Sequence, residues 1–353
     1  MKLHKLESVR GMAALYVVLH HSLPHNFNVL GIPLGALLKF GQEAVILFFL
    51  LSGFVINYAY QRSGNKHFSH YFFNRFARLY IPLLIIYLLA YVIVCIKHTE
   101  WIDPQIQNLV LNMMMLQDID SLKPGVIVSP YMGNSPLWSL SYEWWFYMLY
   151  YPLVTRFRVD ILNSFSVWLS IIFATILYVF LDDFLSRLWM YFGIWWFGVF
   201  LSQLYLQKKE INFKAMIQPL LALSAVTMIL GISSLVAKMQ GKTLSFGIHP
   251  ILEVRHFAFA ILVVLLAVWW HKFKWIGFNH SIGGFSRFAP ISYVVYISHY
   301  YLVTTASYLS FLENKVLEWF GYMVVLIAFS YTLERKLYPR LKRLLFPSTG
   351  VRC

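Results

Sequence analysis

Apolar residues run in long blocks along this chain, and the polar residues between them are few and unevenly placed. A helix that crosses a bilayer needs about 20 mostly apolar residues. Ten segments are candidates, near 10–29, 41–60, 79–97, 136–153, 161–181, 185–206, 216–236, 256–271, 289–311 and 316–334. The eighth is short, and the fourth is dense in aromatic residues. The longest polar stretch, about 98–135, still holds Val110, Leu111 and the run Met113-Met114-Met115, so no separate soluble domain is predicted. The pattern predicts an all-α polytopic membrane bundle, a single domain over 1–353 with a basic tail over about 335–353. The first apolar block lacks a small-residue cleavage site and is expected to be a retained helix.

Composition sharpens the class. Hydrophobic residues make up 59% of the chain and charged residues 12%, against about 25% charged in soluble domains. Mean hydropathy is +0.62. The net charge of +14 would point to nucleic acid in a soluble protein, but here its distribution matters more. Ten spans put both termini on one side. Of the 29 lysines and arginines, 21 fall on that side and 8 on the other. The positive-inside rule then places both termini in the cytoplasm, facing anionic lipid headgroups. The bilayer is the expected partner, and nucleic acid is not. Cys95 and Cys353, the two cysteines, form no disulfide framework. No His, Cys or carboxylate spacing suggests zinc, so no metal is expected.

Ionisable residues inside apolar spans are costly and mark function or pairing. The first span, "LESVRGMAALYVVLHHS", carries Arg10, His20 and His21. Arg10 and His21 are eleven residues apart, about three helical turns plus 20°, so they share a face with a rise of roughly 16 Å. His20 points about 80° away from Arg10. If one histidine works with Arg10, geometry selects His21. Snorkelling of Arg10 to headgroup phosphates is the other reading.

Four further motifs carry polar residues. "FFLLSGFVIN" places Ser52-Gly53 inside the second span, where small residues favour close helix packing. "NRFARLYIPLL" places Arg75 and Arg78 three apart on one face at the inner mouth of the third span. They suit either phosphate binding or topology and lipid contact. "NSPLWSLSYEWWFYMLYYP" places Ser139 and Glu143 on one face, with Glu143 about 10 Å deep. That approximates the depth of His21, so Glu143 is a candidate orienter of its imidazole, against a structural carboxylate held by tryptophan or backbone. The aromatics around it fit an interfacial belt or a sugar-stacking platform. "ISYVVYISHYYL" places His299 near mid-span, lining the same cavity or satisfied within the bundle.

These pieces together resemble the acyltransferase-3 family of integral-membrane O-acyltransferases. The matching residues are Arg10-Gly11 with His21, "FLLSGF" over Phe49–Phe54, Arg75 and Arg78 followed by Pro82, "WSLSYEWWFY" with Ser139 and Glu143, and "ISYVVYISH" ending at His299. They occur in family order over about 6–302. The closing "YTLERK" departs from the family, with Lys336 where proline is usual, and Glu334 takes no role from the resemblance. The resemblance implies about ten spans and transfer of an acyl group, commonly acetyl, from cytoplasmic acetyl-CoA as co-substrate. The acceptor is then a hydroxyl on a surface or lipid-linked glycan such as a lipopolysaccharide, in a bacterial inner membrane. With no hydrolase-like domain after the tenth span, the chain resembles the stand-alone type. Arg10, Arg75 and Arg78 would contact the acyl-CoA. His21 would act as general base with Glu143 orienting it, or carry the acyl group itself. Ser52, Ser139 and His299 would line the cavity. Three rivals are a glycan or lipid transporter, for which no internal repeat is evident, a membrane acyltransferase of another family acting on lipid or protein through a lone histidine such as His299, and a purely structural assembly subunit, which the matched motifs disfavour.

Overall fold

The computed structural model describes residues 3–26 and 34–346, and among them every regular element is helical. The chain order is α1 (His4–Ser22), α2 (Gly41–Arg62), α3 (Phe68–His98), α4 (Ile106–Met113), α5 (Trp138–Thr155), α6 (Phe165–Leu181) and α7 (Phe184–Leu206). It continues with α8 (Ile217–Met239), α9 (Ile251–Lys272), α10 (Phe278–Ser281), α11 (Ser292–His299), α12 (Lys315–Tyr331) and α13 (Tyr338–Leu345).

Each of the ten predicted segments coincides with a helix. Six stretches, built on α2, α3, α7, α8, α9 and α12–α13, are long and apolar enough to cross a membrane; α6 is apolar but shorter. The other three depart for physical reasons. α1 carries Lys5, Glu7 and Arg10 in its first two turns, α5 is built largely of Trp and Tyr, and α11 has only eight residues before a π-turn over Tyr300–Thr304. Those three helices hold Arg10, His21, Ser139, Glu143 and His299, so the segments with the weakest apolar signal carry three of the five polar motifs.

Boundaries also shift. α1 begins at His4, six residues before the predicted start, which puts His20 and His21 in its last turn. The predicted end of that span, 27–29, lies outside the described residues, as do Cys353 and positions 347–353 of the basic tail. The ninth segment, expected over 289–311, is helical only to Thr304 and irregular beyond, apart from a short turn at Ser310–Leu312.

The centre of the bundle is the pair α2–α7, and two glycines set its spacing. A Cβ on Gly53 would lie 2.0 Å from the carbonyl oxygen of Trp195, and one on Gly198 would lie 2.0 Å from the carbonyl oxygen of Leu50. The two backbones therefore touch, an approach that small residues permit. Phe49, Phe146, Tyr191, Trp195 and Trp196 fill the space around the contact and are fully buried. α1 uses the same device at Gly11, whose Cβ would fall 2.1 Å from the Phe285 carbonyl oxygen.

The polar stretch 98–135 is not a free loop. It forms α4 and then sends Asp118 and Lys123 inward, both with fully buried side chains. Asp118 accepts from Lys123 Nζ at 2.9 Å, pairs with Arg187 of α7 at 3.1 Å and accepts a short bond from the Tyr142 hydroxyl. Lys123 Nζ also sits 3.5 Å from the centroid of the Trp138 ring, a cation–π contact that strengthens in a desolvated site. A buried ion cluster is weak evidence for net stability, but removing one member strands the rest.

Two outcomes follow for purified protein in detergent. Gly53→Ala places a methyl into the Trp195 backbone and should cost at least about 2 kcal/mol. Gly64→Ala, with nothing within 4 Å of the added atom, should melt like the wild type. Equal melting temperatures for the two variants would mean that α2 and α7 are not in backbone contact. Asp118→Ala leaves Lys123 and Arg187 without their carboxylate and should cost about 3–5 kcal/mol. Limited proteolysis should then cut within 98–135, and protection equal to wild type would show that the cluster does not hold the segment.

Candidate active site

Five helices remote in sequence converge on one cavity of about 280 Å³. α1 contributes Arg10, α2 contributes Ser52, α3 contributes Arg75 and Arg78, and α5 contributes Ser139, Glu143 and Tyr147. α11 closes the cavity with Ser292, Tyr293 and Tyr296. Helical periodicity accounts for the lining: Ser139, Glu143 and Tyr147 are four apart along α5, and Arg75 and Arg78 are three apart on α3.

The carboxylate of Glu143 is held by its neighbours. It accepts from Ser52 Oγ at 2.9 Å and forms a short bond with the Tyr147 hydroxyl, one turn further along α5. Ser52 Oγ in turn accepts from the indole N–H of Trp195 at 3.2 Å. The Ser52-Gly53 pair thus divides its work, with Gly53 making the helix contact and Ser52 facing the cavity. Ser139 Oγ lies 2.9 Å from the Tyr296 hydroxyl, which donates to the Pro136 carbonyl at 2.5 Å.

The cationic side of the cavity is only partly compensated. Arg78 pairs with Glu334 of the π-turn Thr332–Leu337 and stacks 5.2 Å from the Tyr293 ring centroid. Arg75 lies 5.8 Å from the Tyr71 ring centroid. The Nε atoms of Arg10 and Arg75 are buried without a hydrogen-bond partner among the described residues. Three guanidinium groups therefore face one cavity bordered by two carboxylates, an arrangement that suits a further anion.

His21 stands apart from this cavity. Its ring neighbours are His20, at 4.6 Å between centroids, and His299, at 5.3 Å. Glu143, expected beside His21, has Ser52 and Tyr147 as its partners instead, because its helix face turns toward α2 and α3 rather than toward the end of α1. Tyr296 lies between the two regions: it lines the cavity and sits 6.1 Å from the His299 ring. His20 is tied into the fold. Its Nδ1 forms a short bond with the Leu38 carbonyl, and its ring fills the space in front of Gly41.

Sequence reading missed four participants. Tyr147 was legible as the i+4 partner of Glu143. Tyr293 and Tyr296 lie inside the "ISYVVYISH" motif but gave no separate signal. Glu334 carried no role from the sequence, and only the fold brings it to Arg78, 256 residues away. The histidines His249 and His256 bond Glu253 and Tyr191 respectively. No group of three or more metal-ligating side chains forms among the described residues.

Comparison with known proteins agrees with this arrangement. The family model of the acyltransferase-3 family, an acyltransferase domain, matches residues 3–335. Acyltransferase MdmB of Streptomyces mycarofaciens is 31% identical over 170 residues, which cover 45% of this chain and 41% of that protein. The chain thus spans about two-fifths of the length of that curated relative. No solved structure matches. The match over nearly the whole chain, together with the polar motifs brought into and beside one cavity, shows that the protein belongs to the acyltransferase-3 family.

Proposed function

We propose that this protein is a membrane O-acyltransferase. It moves an acyl group, in the simplest case acetyl, from cytoplasmic acyl-CoA to a hydroxyl of an extracytoplasmic or lipid-linked glycan. The observation that carries the reading is the convergence of Arg10, Arg75 and Arg78 on one cavity. CoA is a polyanion, and guanidinium forks bind phosphate bidentately. At about 280 Å³, the cavity lies just under the roughly 300–1,000 Å³ of pockets that enclose a whole drug-sized ligand. It suits the phosphate and pantetheine portion, with the nucleoside outside.

The orientation in this reading has ten crossings and both termini in the cytoplasm of a bacterial cell, in the inner membrane. Arg10, Arg75 and Arg78 then meet the donor in its own compartment. The pantetheine arm runs past Tyr296 toward the end of α1. There His21 takes the proton of the acceptor hydroxyl as its oxygen attacks the acyl carbonyl. The carbon–sulfur bond breaks, and the CoA sulfur leaves with the proton that His21 returns. Glu143 fixes Ser52 and Tyr147 on the cavity wall and keeps the site's shape.

Mass spectrometry of surface glycans with and without the gene should show the mass difference of one acyl group. For the donor, Arg75→Ala with Arg78→Ala should raise the apparent KM for acyl-CoA at least about tenfold while the protein still inserts. Lysine at both positions should restore binding only in part, since a point charge lacks the fork. Unchanged donor dependence would reduce the two arginines to topology signals. For the base, His21→Ala should lose at least about 10²-fold in acyl transfer. His20→Ala should lose much less, with its effect appearing in melting temperature, because His20 packs on Gly41 and bonds the Leu38 carbonyl. An inactive His20→Ala beside an active His21→Ala would reverse the assignment.

A further inference from the structure

His299 ends α11 with a fully buried side chain. Its Nδ1 lies 2.6 Å from the carbonyl oxygen of Tyr296. A carbonyl only accepts, so Nδ1 carries the proton and Nε2 of the neutral ring is left as a bare acceptor. That Nε2 is buried and has no hydrogen-bond partner among the described residues. Leaving a buried acceptor without a partner is costly, so a donor is expected to reach it. The side chain beside it is His21, with the rings 5.3 Å apart and inclined by 33°. The His21 ring is thus the neighbour whose N–H, single in the neutral ring, can be offered to Nε2. Glu143 faces the neighbouring cavity instead, where Ser52 and Tyr147 bond its Oε1.

We propose that His299 is the positioning residue for His21, accepting an N–H of that ring at Nε2 and so leaving the other His21 nitrogen unprotonated toward the acceptor hydroxyl. This rests on the reading of His21 as general base. The backbone bond from Nδ1 to Tyr296 fixes the tautomer of His299, and His299 fixes that of His21. When His21 takes the hydroxyl proton it becomes an imidazolium, and its bond to Nε2 becomes charge-assisted and stronger. The proton does not pass to His299; His21 returns it to the departing CoA sulfur. A neutral acceptor does this without placing another charge in the bundle, where an unpaired charge is costly.

The test is a double-variant cycle on the full-length protein in membranes, with acyl-CoA and the glycan acceptor. His299→Phe keeps a ring but removes the acceptor, and should lower kcat at least about tenfold with KM for acyl-CoA within about twofold, a smaller loss than the 10²–10⁴-fold of a general base. His299→Gln keeps an acceptor oxygen and should recover part of that loss. His21→Ala combined with His299→Phe should be no slower than His21→Ala alone, because a positioning residue acts through its partner. His299→Leu replaces His299→Phe should the latter fail to fold. A packing role would give independent, additive losses and no rescue by glutamine, and either result overturns the proposal. Full activity in His299→Phe does the same while leaving His21 as the base. Full activity in His21→Ala removes the base assignment and the role of His299 with it.

Discussion

The backbone contact between α2 and α7 is the constraint on which the site depends. Gly53 and Gly198 each face a carbonyl of the opposite helix, and any side chain there would push the two helices apart. Because Gly53 is pressed against Trp195, its neighbour Ser52 receives the Trp195 indole N–H and turns its hydroxyl to Glu143. Tyr147 then completes the set. The polar wall of the cavity thus follows from one steric fact, the absence of two Cβ atoms in the middle of an apolar bundle.

Two of the charge clusters within the bundle differ in setting. Asp118, Lys123, Arg187 and Tyr142 are bonded to one another and to backbone, and together they tie the 98–135 segment to α5 and α7. Around the cavity, three arginines face two carboxylates, and two guanidinium nitrogens have no hydrogen-bond partner among the described residues. At low effective dielectric such an excess is strongly felt. The first cluster has fully buried Asp118 and Lys123 side chains and ties elements together, whereas the arginines of the second line a cavity in which a ligand of opposite sign can meet them. That contrast supports an anionic donor at the cavity and a structural role for the other cluster.

The two adjacent histidines of α1 show how a local tie can separate similar residues. His20 is fixed by the Leu38 carbonyl and by the gap over Gly41. His21 faces a second histidine whose ring is itself fixed by backbone. The roughly 100° between successive residues on a helix is what sends one into scaffold and the other toward the ring of α11.

Periodicity and hydropathy alone determined the all-helical class, the helical segments, and the shared faces of Arg75 with Arg78 and of Ser139 with Glu143. Those properties depend on spacing within one helix, and spacing is written in the sequence. The tertiary structure decided which faces meet. It gave Glu143 to Ser52 and Tyr147, His21 to His299, and Arg78 to Glu334 across 256 residues. It also drew Asp118 and Lys123 inward from a stretch that reads as a loop. Pairings of this kind are set by the rotation and depth of whole helices, which depend on packing at positions such as Gly53 and Gly198 far along the chain, and no local pattern around Glu143 or His21 encodes them.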